Sequence, residues 1–135
     1  MSKRFGFPRK EKLKSRKKIE ELFLNGQRFV QFPVRVTYRF TVAAEEPMIQ
    51  VGVTASKKYF KKAVDRNRIK RLLREAYRLQ KNGLVETANQ RRLSGEVFFM
   101  YTDKTIASFE IIKEAVNKSI TRLQKSVNAI NENPS

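Results

Sequence analysis

The stretch from Val64 to Arg78, VDRNRIKRLLREAYR, constrains the fold more than any other part of the sequence. At about 100° per residue, as in an α-helix, its side chains separate into two faces. Within an arc of roughly 140° lie Arg66, Asn67, Lys70, Arg71, Arg74 and Arg78. The opposite side consists mostly of Ile69, Leu72, Leu73, Ala76 and Leu79, with Tyr77 at the border. The pattern predicts a helix over about residues 63–80 that buries one face and presents guanidinium groups on the other.

The charge on this face has one dominant sign, and so has the charge on the whole chain. A helix face of mixed charge is usually only solvated, but Val64–Arg78 contains five Arg and one Lys against two acids. The chain has 30 Lys and Arg against 13 Asp and Glu, a formal net charge of +17. Because such a charge opposes compaction, we expect a polyanionic partner, and nucleic acid is favoured over an anionic membrane surface. Arg matches phosphate oxygens bidentately, and Asn67 can reach a base edge or a ribose hydroxyl.

The composition excludes several classes of active site. The chain has no His and no Cys, which excludes metal centres and nucleophiles built on them, and also disulfides. Glu75 has Arg71 one helical turn away, which favours an ion pair over a catalytic role. The chain contains no phosphate-binding glycine loop and no serine-hydrolase motif. We therefore predict no catalytic residue and no metal site in this chain.

Size and hydrophobic content predict one globular unit. The 40% hydrophobic content and ten Phe allow a folded core within 135 residues, the size of one domain. No apolar run approaches the roughly 20 residues of a membrane span, and no secretory signal is visible, so we expect a cytoplasmic location. We predict a flexible basic arm over residues 1–14, a single nucleic-acid-binding α/β domain over residues 15–130, and a loose tail over residues 131–135.

Hydrophobic periodicity predicts the remaining helices and strands. The predictions are a helix between Ser15 and Gly26, strands over Val34–Phe40, Ile49–Ala55 and Val97–Tyr101, and a closing helix over Phe109–Ile130. Asn82 and Gly83 predict the end of the central helix, and residues 83–95 a loop. This order predicts the α/β (α+β) class, as a two-layer sandwich with helices packed on a small sheet.

Aromatic residues are concentrated near the first helix and first strand. They are Phe23, Phe29, Phe32, Tyr38 and Phe40, interleaved with Arg28, Arg35 and Arg39. Aromatic side chains at such spacing either pack in a core or stack on unpaired bases, as in proteins that bind single-stranded nucleic acid. The pattern favours the core for Phe40 and leaves both alternatives open for the others.

Two motifs resemble the bacterial ribonuclease P protein subunit. The segment Gly52–Lys58, GVTASKK, is followed after a short spacer by Ala63–Arg71, AVDRNRIKR. The Arg-Asn-Arg core with the following Ile-Lys-Arg-Leu is highly specific, and Ser-Lys-Lys lies upstream at the expected distance. The opening FPRKEKLKSRKKIEELF and the later Gly26 are also similar to the family. The resemblance covers about residues 7–127.

The resemblance implies a fold and a function. The fold is an αβββαβα arrangement with a small mixed sheet and a left-handed βαβ crossover, an exception to the usual handedness. The implied function is the protein subunit of a ribonucleoprotein endonuclease that matures the 5′ end of tRNA, with catalysis by the RNA subunit. Mg²⁺ would be bound by that RNA and the substrate. The expected partners are the catalytic RNA and precursor tRNA, with no membrane and no obligate protein partner. A structural ribosomal-type RNA-binding protein is the alternative that composition allows.

The resemblance also implies two binding sites. The Arg-Asn-Arg helix and the connection before it contact the catalytic RNA in the family. The corresponding residues here are Ser56, Lys57, Lys58, Arg66, Asn67, Arg68, Lys70, Arg71 and Arg74. Lys61 and Lys62, in the same connection, are also expected to bind RNA. A cleft between the first helix and the sheet, lined by aromatics, holds the 5′ leader of precursor tRNA. Phe23, Arg35 and Tyr38 are the expected leader-binding residues, and Ile19 takes the position of another family aromatic.

Overall fold

The structure is a computed structural model that describes residues 8–131. Within that range a 3₁₀ turn at Arg9–Glu11 precedes four helices and four strands. In chain order these are α1 (Arg16–Asn25), β1 (Gln27–Gln31), β2 (Val34–Val42), β3 (Ile49–Ala55), α2 (Ala63–Gln80), α3 (Asn82–Gln90), β4 (Leu93–Tyr101) and α4 (Phe109–Asn131). No helix in the described range is both long and apolar enough to cross a membrane.

The four strands form one mixed sheet in the order β1-β2-β4-β3. The β1–β2 and β2–β4 pairs are antiparallel, whereas β3 runs parallel to β4. Because parallel neighbours need a long crossover, the chain passes through α2 and α3 between β3 and β4. The predicted α+β class and mixed sheet are confirmed. The left-handed sense of the crossover stays a prediction.

Most of the hydrophobic core lies on one side of the sheet, which we call the core face. Side chains alternate between the two faces of a strand, so every second residue points to this side. It includes Val34, Val36, Val51, Val97 and Phe99, each at most 2% exposed. The helices α2, α3 and α4 cover it with Ile69, Leu73, Leu84, Ile112, Val116 and Leu123. Each such side chain stabilises the fold by about 1.5–3 kcal/mol when fully buried, so this layer dominates stability.

The other side of the sheet, which we call the α1 face, is only partly covered. Ser15 caps α1 by accepting the backbone N–H of Lys18 at 3.3 Å, as the sequence predicts. Leu22 of α1 packs on Phe98 of β4 in a small separate cluster. The ring of Phe98 lies over Gly52, where an added Cβ would come within 2.7 Å of two ring atoms. A larger residue at position 52 would therefore displace the ring that α1 packs against.

The structure adds elements that the sequence pattern does not predict. Strand β1 forms directly after Gly26, and β4 begins at Leu93 rather than at Val97. Much of the loop predicted over residues 83–95 belongs instead to α3, which buries Leu84 and Ala88. The order of elements is therefore αβββααβα, with one helix more than the family resemblance implies.

The predicted flexible arm over residues 1–14 is wrong for its second half. Leu13 is 4% exposed, and its backbone N–H donates to the carbonyl of Val51 at 2.9 Å. Glu11 forms an ion pair with Lys81 at the α2–α3 junction, with 2.6 Å between Oε1 and Nζ. This segment is fixed to β3 and to the helical layer because a leucine anchor and a carboxylate interrupt its basic run. Residues 1–7 of the predicted arm and residues 132–135 of the predicted tail lie outside the described residues.

Candidate nucleic-acid interface

Helix α2 separates into the two faces that the sequence predicts. Its buried residues are Ile69, Leu73, Ala76 and Tyr77, each at most 1% exposed. Among its outward residues Asn67, Arg68 and Arg71 are exposed, and Lys70 and Arg74 are half-buried. The buried side joins the core face of the sheet, so the outward side is presented on a rigid element.

The connection before α2 holds four lysines outside the core. Lys57, Lys58, Lys61 and Lys62 are all exposed. The connection is ordered by its neighbours: the hydroxyl of Ser56 accepts the backbone N–H of Lys58 at 3.0 Å. Phe60 is 7% exposed and its ring centroid lies 6.1 Å from that of Tyr101. An anchored aromatic therefore places this cluster of cations next to the charged face of α2.

Arg66 has a structural task that the sequence does not reveal. Its Nη1 donates to the carbonyl of Phe60 at 2.7 Å and to that of Lys61 at 2.9 Å. A guanidinium has five N–H donors, so Nη2 and Nε can still serve a ligand. Arg66 therefore braces the connection and contributes positive charge to the surface at the same time.

Glu75 pairs with Arg78, and the predicted pair with Arg71 is wrong. The two carboxylate oxygens of Glu75 accept from Nε and Nη2 of Arg78 at 3.0 and 2.6 Å. The hydrogen bond from Arg78 holds the pKa of Glu75 below its ordinary value. This bidentate pair offsets the positive charge of Arg78.

Four of the residues predicted to contact RNA meet in one groove of about 480 Å³. They are Ser56, Lys57, Arg66 and Lys70, and the lining also includes Thr54 and Met100. The groove lies where the parallel strands β3 and β4 end and α2 begins. Thr54 and Met100 were not predicted, because neither residue type signals binding without knowledge of the sheet register. Cations beside hydroxyl groups in an open groove suit a phosphate group.

Two of the three predicted leader-binding residues lie on the α1 face. Phe23 is half-buried and meets Phe98 edge to face, with ring centroids 5.2 Å apart. Ile19 packs in the same cluster. Arg35 is exposed and pairs across the sheet with Met100, which lines the groove. The α1 face and the basic groove therefore form one continuous surface.

The third, Tyr38, lies on the opposite side of the sheet, so its predicted place in the α1 cleft is wrong. It shares its face of β2 with Val34 and Val36 and packs against the main core. Its hydroxyl lies 3.1 Å from the Ser126 hydroxyl of α4. The physical reason is strand parity: in β2 the α1 face receives Arg35, Thr37 and Arg39 instead.

The acidic side chains of the described residues are scattered rather than clustered. No group of three or more acidic, His or Cys side chains gathers anywhere in residues 8–131. Mg²⁺ prefers several oxygen ligands in octahedral geometry, which scattered single carboxylates do not provide.

With this geometry in place, comparison with known proteins identifies the family. The family "Ribonuclease P" matches residues 7–128, nearly the whole chain. The chain belongs to the ribonuclease P protein family. Its sequence is 36% identical over 123 residues to the ribonuclease P protein component of Porphyromonas gingivalis, covering 91% of this chain and 90% of that protein. A second relative, from Chlorobium phaeobacteroides, is 31% identical over 126 residues and covers 86% of each protein.

Solved structures support the same fold. The RNase P protein of Thermotoga maritima superimposes with a TM-score of 0.64 at 20% identity, covering 83% of this chain and 96% of that one. A mutant RNase P protein of Staphylococcus aureus gives 0.60 at 17% identity, covering 86% and 89%. At these identities the likeness concerns the fold alone. Family membership is consistent with a subunit of ribonuclease P in tRNA 5′ processing, and the ribosomal alternative loses its support.

Proposed function

We propose that this chain binds the catalytic RNA of ribonuclease P through α2 and the connection before it, and the 5′ leader of precursor tRNA on the α1 face. The observation that carries the proposal is the junction of two surfaces. The groove lined by Lys57, Arg66 and Lys70 adjoins Met100, whose strand partner is Arg35. One side of this junction carries the exposed cations of α2 and of the connection before it, which suit folded RNA. The other is the α1 face with its Phe23–Phe98 pair, which suits a single strand.

The two surfaces would act by different physical means. Along α2, exposed Arg71 and its neighbours would neutralise phosphates and release counterions, which gives affinity with little dependence on sequence. On the α1 face, Phe23 would contact leader bases and Arg35 the leader backbone. Because mature tRNA has no leader, the protein would favour substrate over product. No acidic cluster that could hold catalytic metal ions gathers within residues 8–131, so catalysis would belong to the RNA, with Mg²⁺ held by RNA and substrate.

Reconstitution tests the proposal. Purified protein alone, with precursor tRNA and Mg²⁺, should leave the substrate intact. Adding a ribonuclease P RNA should give 5′ cleavage at Mg²⁺ concentrations too low for the RNA alone. Cleavage by protein freed of RNA, or no stimulation of the RNA, would contradict the proposal. In cells, we propose that this assembly works in the cytoplasm.

The leader surface has its own test. Arg35→Ala should weaken precursor tRNA binding by the holoenzyme while leaving mature tRNA binding and holoenzyme assembly unchanged. Lys113→Ala is the matched control, because it removes one exposed cation from α4, on the other side of the sheet. Equal losses for precursor and mature tRNA with Arg35→Ala would show that Arg35 does not contact the leader.

A further inference from the structure

A second cavity, of about 540 Å³, is lined mainly by residues on the core-face side of the sheet, and Arg39 also contributes to its lining. It opens where α1 ends, β1 begins and α4 approaches its last turns. Its lining includes Gln27, Tyr38, Phe40, Ser126, Ala129 and Ile130. Ligand pockets typically have this size and this mixture of aromatic surface with a few polar groups. Neither of the RNA-binding surfaces described above uses it.

One side of the cavity continues into a row of planar groups. The rings of Phe29, Tyr38 and Phe40 follow one another with centroids 5.8 Å apart. The guanidinium carbon of Arg122 lies 4.1 Å from the centroid of Phe29 and extends the row. All three rings are only partly buried, although they pack against the main core. Aromatic and guanidinium planes of this kind are the surfaces on which RNA-binding proteins stack unpaired bases.

Polar groups converge at the same point. The Tyr38 hydroxyl donates to Oε1 of Gln27 at 3.0 Å. A hydroxyl has only one proton, so its 3.1 Å contact with Ser126 then has the serine as donor. Gln27 is exposed, and its amide nitrogen carries two N–H donors. An amide that can donate to a ring nitrogen or a carbonyl oxygen suits the edge of a base.

Two cations of α4 lie one helical turn from residues that line the cavity. On α4, Arg122 and Lys125 precede Ser126 and Ala129 by four residues, which places each pair on one side of the helix. Lys125 is exposed. A cation above an aromatic, amide-bearing cavity complements a nucleotide, whose base is planar and whose phosphate is negative.

We infer that this cavity binds one unpaired nucleobase of the RNA partner, stacked against the Tyr38–Phe40 surface, with its phosphate towards Lys125. The inference rests on the proposed function only in that the partner is RNA. It adds a base-binding site on the side of the sheet opposite the leader surface. It also assigns a role in base stacking to Tyr38 and Phe40, which lie outside the proposed leader site.

The direct test titrates the full ¹⁵N-labelled chain with AMP, GMP, CMP and UMP, and with ribose 5-phosphate as a base-free probe. At least one monophosphate should shift the amide signals of Gln27, Tyr38 and Ser126, and ribose 5-phosphate should not. Ala129→Phe fills the cavity from an exposed position and should abolish the shifts. Thr121→Phe adds the same ring at an exposed position of α4 outside the lining and should preserve them.

The second measurement uses ribonuclease P RNA. Ala129→Phe should weaken RNA binding about tenfold, the scale expected for one stacked base, while Thr121→Phe should not. Absence of monophosphate shifts, or equal shifts with ribose 5-phosphate, would overturn the inference. Shifts without any change in RNA affinity would also overturn it, since the cavity would then bind free nucleotides only. Because wild-type protein would still support precursor cleavage, these outcomes differ from a failure of the proposed function.

Discussion

Removing Glu11 should destabilise the protein far more than its position near the N-terminus indicates. The side chain of Lys81 is only 5% exposed, and its Nζ lies 2.6 Å from Oε1 of Glu11, which is 24% exposed. Removing one partner of a fully buried pair costs about 3–5 kcal/mol. Here Glu11 keeps some contact with water, and Lys81 has a further interaction. We therefore expect Glu11→Ala to lower the free energy of unfolding by about 2 kcal/mol, near the value of a charged hydrogen bond.

Urea unfolding of three variants tests this reasoning. Glu114→Ala is the control, because Glu114 and Lys118 form an exposed pair at 3.4 Å that should contribute less than about 0.5 kcal/mol. Adding Lys81→Met to Glu11→Ala should recover part of the loss, since a buried charge is then replaced by an apolar chain. If Glu11→Ala costs no more than Glu114→Ala, the ion pair does not anchor the N-terminal segment.

Three further predictions concern charge, ionisation and packing. Arg71→Ala should weaken binding to ribonuclease P RNA by about 1–3 kcal/mol and lower the salt dependence of that binding. Arg78→Ala should have a smaller effect, because Glu75 already offsets the charge of Arg78. Filter binding at several salt concentrations measures the affinity and the salt dependence of each variant. Burial raises the pKa of Tyr77 above its ordinary 10.0, so the stability contributed by the neutral phenol is complete below pH 10 and is lost as the pH rises further. Urea unfolding at increasing alkaline pH should show this loss of stability. Tyr77→Phe should make the loss smaller. Gly95→Ala should lower the free energy of unfolding by about 1–3 kcal/mol in thermal or urea unfolding, because the added Cβ would overlap the ring of Phe40. Gly83→Ala in α3 is the control: its Cβ meets only the flexible end of the Gln124 side chain, so it should not destabilise the protein.

A helical pattern of apolar residues that continues over many turns was sufficient to predict the central helix and its two faces. The apolar residues of α2 recur over five turns, and its observed bounds of Ala63–Gln80 agree with the prediction. β1 has no such pattern: in QRFVQ the apolar Val30 points outward and is 58% exposed. Its pairing with β2 supplies the hydrogen bonds that hold it as a strand. α3 begins at Asn82-Gly83, a typical stop signal, because packing of Leu84 and Ala88 in the core overrides that local signal.

The candidate sites show the same division between local and long-range information. The basic groove was predictable because its three cations belong to one specific motif, whereas Met100 joins it only through the sheet. The placement of Tyr38 failed by one residue of strand register, which moves a side chain to the other face. The alternation of Val34, Val36 and Tyr38 already favours the core side for all three. The bracing role of Arg66 depends on two backbone carbonyls that no sequence pattern reveals.

The N-terminal segment also protects the sheet from unwanted strand addition. β3 lies at one edge of the sheet, where unpaired backbone groups can act as a template for another chain. Lys12 pairs with Val51 on that edge, and the Gln50 side chain donates to the carbonyl of Lys10 at 3.0 Å. The segment therefore occupies the position that a strand of a second molecule would take. We expect this covered edge to disfavour edge-to-edge association between copies of the chain at high local concentration.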